Sequence, residues 1–135
     1  MNSLTQTNSV SRAGTIISAL PVLFLLFDSA IKFTKIKPVV ESFTQLGYRP
    51  SIAVSIGLLE LTCVVVYLIP RASIFGAILL TGYLGGAIAT HLRVGDPLFS
   101  HVLFPIYVAV PLWGGLLLRS ERLRSLLFLQ ASPAH

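Results

Sequence analysis

The stretch TGYLGGAIATHLRVGDPLFSHVLFP, residues 81–105, joins the end of one apolar helix to the start of the next. It contains two histidines, one arginine and one aspartate, in a chain that has few polar groups. Gly95-Asp96-Pro97 separates the two apolar runs and is typical of a tight turn. The stretch therefore predicts a helical hairpin that carries polar residues near its tip.

The composition of the whole chain indicates a membrane protein. Of the 135 residues, 54% are hydrophobic and 11% are charged, and the mean hydropathy is +0.82. An ordinary soluble domain has about 25% charged residues. Because a helix needs about 20 apolar residues to cross a bilayer, four spans account for most of the chain. The predicted fold is all-α, an antiparallel bundle of four transmembrane helices in a multi-pass membrane protein.

This bundle is expected to occupy residues 13–128, between a disordered N-terminal tail at 1–12 and a C-terminal tail at 129–135. A short helix on the membrane surface is predicted within 35–49, and a second one after Arg119. Ser100 is expected to cap the fourth span at its start. The predicted spans cover residues 13–33, 50–69, 72–92 and 101–118.

The third span carries a strip of small residues, here called the glycine strip and defined as Gly82, Gly85, Gly86 and Ala89. Small residues four apart let another helix approach closely inside lipid. We expect Gly82 and Gly86 to contact a neighbouring helix of the same chain. A homodimer formed through the same two glycines is the alternative.

The formal net charge of +5 comes mostly from Lys and Arg at the ends of the apolar runs. There they face lipid headgroups, so the expected partner is the lipid bilayer and not nucleic acid.

Four spans place both termini on one side, and each side has five of these basic residues. Cytoplasmic termini are predicted from the clustered arginines of the tail. The two sets are Arg12, Arg71, Arg119, Arg122 and Arg124 on the side of the termini, and Lys32, Lys35, Lys37, Arg49 and Arg93 on the other.

Ionisable residues inside apolar spans are costly in lipid and mark sites in the bundle interior. The directions of the four spans place Asp28, Glu60, His91 and His101 in the same half of the bilayer. We therefore predict one polar cavity lined by these residues together with Lys32 and Arg93. Asp28 and Lys32 are four apart and can pair on one helix face. The spacing of the histidines and carboxylates matches no metal signature, so no metal site is predicted.

Glu60 and His91 are the candidate catalytic residues of this cavity. A carboxyl group at mid-depth either becomes neutral or pairs with a cation from another helix, such as His91, Arg93 or Lys32. A carboxylate beside a histidine can exchange protons with a ligand. A structural clamp between helices remains open as the alternative. Cys63 is the only cysteine, so thiol chemistry would need a partner.

The sequence resembles the DoxX-like family of small four-helix bacterial membrane proteins, which is related to the small membrane subunit of thiosulfate:quinone oxidoreductase. Asp28, Glu60, His91, Arg93 and His101 are the polar positions that match the pattern of this family. The matching stretches are FDSAIKF, ESFTQLGYRPS, GLLELTCVVVYLIPR, GAILLTGYLGGAIATHLRVGDPLFSHVLFP and WGGLLLRSERLR.

The resemblance implies a bacterial inner-membrane protein and leads to two hypotheses. In the first, the chain is a subunit associated with quinone-linked redox chemistry. Its polar cavity then binds a quinone or a similar lipid-soluble molecule, Glu60 and His91 exchange protons with it, and a partner subunit completes the redox chain. In the second, the chain is not an enzyme. It is then a small-molecule-binding or permease subunit, or a scaffold, in which the same residues hold the bundle together.

Overall fold

The computed structural model describes residues 2–128, with side chains from residue 4 onward, so the predicted C-terminal tail at 129–135 lies outside the described residues. Six α-helices make up most of this part of the chain, which contains no strand. A 3-10 turn at Pro50–Ile52 leads into α3, and a π-helical turn at Leu98–Val102 precedes α5. The helices are α1 (Asn2–Thr34), α2 (Lys37–Gln45), α3 (Ala53–Leu68), α4 (Ser73–Val94), α5 (Phe104–Arg119) and α6 (Glu121–Phe128).

Four helical segments are long and apolar enough to cross a membrane, and they contain α1, α3, α4 and α5. α1 packs against α3 and α5, and α4 packs against the same two helices, so the four form a ring in chain order. Short connections make α4 antiparallel to α3 and to α5, whereas α2 lies in the longer connection between α1 and α3. The prediction of an all-α, four-helix multi-pass bundle is confirmed. Its core is built mainly from buried aliphatic side chains and the ring of Tyr67, among them Leu25, Val64, Leu80 and Leu112.

The bundle has two ends, which differ in the segments that they contain. The terminus side contains the start of α1, the turn between α3 and α4, and the end of α5. The α2 side contains the end of α1, α2, the start of α3, the end of α4 and the π-helical turn. The surface helix predicted within 35–49 is α2, whose Val39 and Phe43 pack with Ala53 in a small cluster of their own.

Glycines make close contacts between helices, but they are not the glycines of the glycine strip. A Cβ added to Gly14 would lie 2.6 Å from the Gly115 carbonyl oxygen, and one added to Gly115 would lie 2.5 Å from the Gly14 carbonyl oxygen. A Cβ added to Gly76 would lie 2.3 Å from the backbone nitrogen of Tyr67. The missing side chains let the backbone of α1 contact the backbone of α5, and the backbone of α4 contact that of α3.

The glycine strip faces away from the bundle. No atom lies within 4 Å of a Cβ added to Gly82, Gly85 or Gly86, so the expectation that Gly82 and Gly86 contact another helix of the same chain is wrong. α4 packs inward through its other face, which carries Gly76, Ala77, Leu80 and Leu84. Both faces of the helix are apolar, and lipid tails are as apolar as the core, so residue spacing alone did not identify the packed face. The homodimer through Gly82 and Gly86 stays a prediction.

Two helix starts differ from those expected. α1 begins at Asn2, so the segment expected as a disordered tail continues the first helix. No Gly or Pro lies between Asn2 and Ala13 to end it. α5 begins at Phe104, with Pro105 in its first turn, where proline is tolerated. Ser100 lies in the preceding π-helical turn and does not cap α5.

Candidate functional site

The main polar site of the bundle is built around the ammonium group of Lys32. Its Nζ donates hydrogen bonds to Asp28 Oδ2, to Glu60 Oε2 at 2.6 Å and to the Tyr83 hydroxyl oxygen at 3.0 Å. An ammonium group has three hydrogens, so all of them are engaged. These four residues, from α1, α3 and α4, are called the Lys32 centre below. The predicted pairing of Asp28 with Lys32 is present, and Lys32 is the cation that Glu60 meets.

A close contact between α1 and α3 brings the Lys32 centre together. Asp28 and Lys32 lie one turn apart on the same face of α1. A Cβ added to Gly57 of α3 would lie 3.0 Å from both the Lys32 Cβ and the Ser29 carbonyl oxygen. Glu60 follows Gly57 by one helical turn and therefore lies on the same face of α3. The small residue at position 57 allows the carboxylate and the ammonium to meet.

Burial and charge distinguish the members of the Lys32 centre. The side chain of Glu60 is 0% exposed and that of Lys32 is 11% exposed, whereas Asp28 is 36% exposed. Two ionised carboxylates and one ammonium would leave one excess negative charge. Uncompensated charge is costly in a bilayer, so a ligand that donates a hydrogen bond to these carboxylates would stabilise the centre. The centre therefore combines two carboxylates that accept hydrogen bonds with one ammonium group that donates them.

One acceptor of the Lys32 centre has no partner. Glu60 Oε1 is fully buried and makes no hydrogen bond within the described part of the chain. Buried carboxyl oxygens are nearly always hydrogen-bonded, and leaving one unpaired is costly. A ligand that donates a hydrogen bond to Oε1 would therefore be stabilised at this position.

Tyr83 is the member of the Lys32 centre that sequence reasoning missed. Its hydroxyl oxygen accepts a hydrogen bond from Lys32, so the hydroxyl hydrogen can be donated to another acceptor. Tyr83 is the only tyrosine of α4 and stands beside Gly82 in an otherwise aliphatic run. A buried tyrosine hydroxyl usually finds a polar partner, and this was the signal that could have identified it.

His91 and His101 converge at the tip of the α4–α5 hairpin. Their ring centroids are 5.8 Å apart. His91 Nδ1 lies 2.6 Å from Asp96 Oδ2, and His101 Nδ1 lies 2.7 Å from Ser100 Oγ. The left-handed conformation of Gly95 (φ 76°) ends α4 and turns Asp96 back toward His91. We call these four polar residues, His91, Asp96, Ser100 and His101, the histidine pair group.

The histidine pair group is separate from the Lys32 centre in its contacts. His91 was expected beside Glu60, but its hydrogen-bond partner is Asp96, because the turn at Gly95 provides a carboxylate closer to the imidazole. Arg93 also lies outside the Lys32 centre. Its guanidinium donates to the Leu46 carbonyl at 2.6 Å and lies 5.8 Å from the Tyr48 ring centroid. Arg93 thus fixes the loop after α2 to the end of α4.

The one polar cavity predicted for all these residues is therefore replaced by two groups. Two clefts, of about 330 and 320 Å³, lie on the terminus side, and neither is lined by Glu60 or His91. Cys63 is buried as a free thiol. Among residues 2–128, no group of three or more His, Cys, Asp or Glu side chains is placed to hold a metal ion.

Comparison with known proteins gave one match, which covers most of the bundle. A family model described as the DoxX-like family matches residues 16–115. This range runs from the first turns of the apolar part of α1 to the Gly115 contact in α5, and it includes the Lys32 centre and the histidine pair group. No curated protein and no solved structure matches the chain.

Proposed function

The chain belongs to the DoxX-like family, and from this premise we propose that it is a membrane subunit associated with quinone-linked redox chemistry. In this proposal the Lys32 centre binds a small lipid-soluble molecule, such as a quinone, and exchanges a proton with it. The observation that carries the proposal is the fully buried and unpaired Glu60 Oε1, placed beside an ammonium group that already has three acceptors.

The polar groups of the Lys32 centre match both forms of such a ligand. A quinol hydroxyl can donate to Glu60 Oε1, which is otherwise unpaired. A quinone carbonyl can accept from the Tyr83 hydroxyl, whose oxygen is held by Lys32 at 3.0 Å. Asp28, whose side chain is 36% exposed, then connects the buried carboxyl to the α2 side as a proton exit. Glu60 alone is therefore the catalytic candidate of this proposal. His91 is no longer included, because its hydrogen-bond partner is Asp96.

Electrons must come from elsewhere in this proposal. Quinone reduction takes two electrons and two protons, and cofactors or metal centres usually carry the electrons. The one cysteine, Cys63, is buried and unpaired, so it cannot form a dithiol couple within the chain. The reduced centre of a partner subunit is therefore the expected electron donor, while this chain binds the quinone and handles its protons.

The test is the ligand content of gently purified protein. Wild-type protein, Glu60→Gln and Glu41→Gln are extracted with organic solvent, and the extracts are analysed for quinones by mass spectrometry. Glu41 is the matched control, because it is an exposed carboxylate of α2 that lies 3.9 Å from Lys37. We expect quinone in the wild type and in Glu41→Gln, and its loss from Glu60→Gln. Equal quinone content in all three proteins, or none in the wild type, would contradict the proposal.

A non-enzymatic role is the second candidate, and a specific observation favours it. All three Lys32 ammonium hydrogens are satisfied by the chain itself, as expected of a clamp that ties α1 to α3 and α4. The chain would then be a small-molecule-binding or permease subunit, or a scaffold. In that case Glu60→Gln changes stability without changing a bound redox ligand, because a neutral amide can still bond across helices.

We also propose that the protein lies in the bacterial inner membrane with both termini in the cytoplasm. Lys32 is buried against Asp28 and Glu60, so it does not count as a surface charge. Removing it from the five basic residues of the α2 side leaves four, against five on the terminus side. The positive-inside rule then favours cytoplasmic termini. A membrane-impermeant maleimide applied to spheroplasts should label Ser42→Cys and not Gln6→Cys, and the reverse pattern would contradict this orientation.

A further inference from the structure

We propose that a cleft on the terminus side binds a phosphate group, carried either by an anionic lipid or by a soluble phosphate compound. The cleft has a volume of about 330 Å³ and lies between the start of α1, the α3–α4 turn and the end of α5. It is called the arginine cleft below. Its polar lining includes Arg71, Arg119, Arg122, Ser11, Thr15 and Ser120.

The charge of the arginine cleft is not compensated by an ion pair within the described part of the chain. Three arginines line it and no Asp or Glu does. None of the ion pairs between described residues includes an arginine. Of the five acidic residues, only Glu121 lies on the terminus side, and it lines the neighbouring cleft. An anion is therefore the ligand that these arginines would stabilise.

Arg119 is held in place for such a ligand. Its guanidinium carbon lies 5.0 Å from the ring centroid of Tyr67. That ring is fully buried, and its hydroxyl donates to the Leu112 carbonyl at 2.7 Å. Arg119 Nε is nevertheless buried without a hydrogen-bond partner in the described chain. A planar guanidinium that is fixed against an aromatic ring, with an unused donor, suits the oxygens of a phosphate group.

The remaining lining supports the same chemistry. Ser120 Oγ accepts a hydrogen bond from the Leu123 amide at 3.2 Å, which leaves its own hydrogen available to donate. Arg71 and Arg122 are exposed, so they can reach a ligand that enters from the membrane surface. The cleft lies at the ends of spanning helices, where the phosphates of lipid headgroups also lie.

The experiment compares two double variants that remove the same charge. Arg71→Gln/Arg122→Gln alters the arginine cleft, and Arg12→Gln/Arg124→Gln is the control on the same side of the bundle. Delipidated full-length protein in detergent is mixed with phosphatidylglycerol or phosphatidylcholine, and bound lipid is counted by native mass spectrometry. We expect the wild type to prefer phosphatidylglycerol. The cleft variant should lose about 30-fold in affinity, as expected for two interfacial charges, while the control variant stays near the wild-type value.

A second arm identifies the source of the phosphate. If inorganic phosphate displaces phosphatidylglycerol from the wild type, the natural ligand is a soluble phosphate, and if it does not, the ligand is a lipid headgroup. Either result supports the site provided that the cleft variant loses binding. Thermal unfolding of both variants, and the single variant Arg122→Gln, guard against a loss caused by misfolding. The proposal would be overturned if both double variants lost the same affinity for phosphatidylglycerol. It would also be overturned if the wild type bound the two lipids equally and inorganic phosphate displaced neither.

Discussion

The Lys32 centre and the histidine pair group lie on the same side of the bundle, but they differ in how their polar atoms are satisfied. The Lys32 centre joins three helices, contains the fully buried Glu60 and leaves Glu60 Oε1 unpaired. The histidine pair group is local to one turn and pairs each imidazole with a nearby residue. An ionisable residue in a membrane helix is thus a stronger candidate for chemistry when its contacts come from other helices and remain incomplete.

The largest effect should come from removing the cation of the Lys32 centre. Lys32→Met leaves Glu60 and Asp28 without their shared partner, and breaking a buried pair from one side costs about 3–5 kcal/mol. Denaturant unfolding in detergent micelles measures this loss of unfolding free energy. The double variant Lys32→Met/Glu60→Gln should recover part of it. A Lys32→Met variant as stable as the wild type would contradict the burial of this pair inside the bundle.

A smaller effect is expected from crowding the contact that assembles the Lys32 centre. A Cβ at Gly57 would lie 3.0 Å from the Lys32 Cβ and the Ser29 carbonyl oxygen, so Gly57→Ala should force α1 and α3 apart, at a cost of about 1–3 kcal/mol. The control is Gly114→Ala, where no atom lies within 4 Å of the added Cβ. Alanine is the better helix former by about 1 kcal/mol, so the control should be neutral or stabilising. Equal melting temperatures would argue against this contact.

The histidine pair group should tolerate substitution better. Asp96→Asn keeps the shape of the side chain and removes the charge that faces His91 Nδ1 at 2.6 Å. Because both side chains are partly exposed, we expect a loss of about 0.2–1 kcal/mol in unfolding free energy. Quinone content should stay unchanged. A loss of bound quinone in Asp96→Asn would place the histidine pair group in the ligand site and remove the distinction between the two groups.

The smallest effect on the fold is expected at the glycine strip. Gly86→Leu adds a side chain where no other atom lies within 4 Å, so the unfolding free energy of the single chain should change little. The same variant tests the predicted homodimer through Gly82 and Gly86. Sedimentation in detergent would then show a dimer for the wild type and a monomer for Gly86→Leu. A monomer in both proteins would contradict the homodimer.

The sequence predicted those features of the fold and site that depend on composition and on neighbours along one helix. Four apolar runs indicated four spans, and the four-residue spacing of Asp28 and Lys32 indicated their pairing. The partner of Glu60 depends on how α1 and α3 rotate about their axes. Since most faces of these helices are apolar, the pattern of hydrophobic residues does not fix that rotation. For the same reason the packed glycines, Gly14 and Gly115, were not separated from the outward-facing strip.

The most direct test of the central claim is infrared difference spectroscopy on ligand-depleted protein. In the proposed function, Glu60 Oε1 receives a hydrogen bond from a bound quinol. Adding a short-chain quinol should shift a carboxyl stretching band in the wild type and in Glu41→Gln, because the carboxyl group gains a donor at its unpaired oxygen. The shift should be absent in Glu60→Gln. No shift in the wild type, or the same shift in Glu60→Gln, would contradict the account.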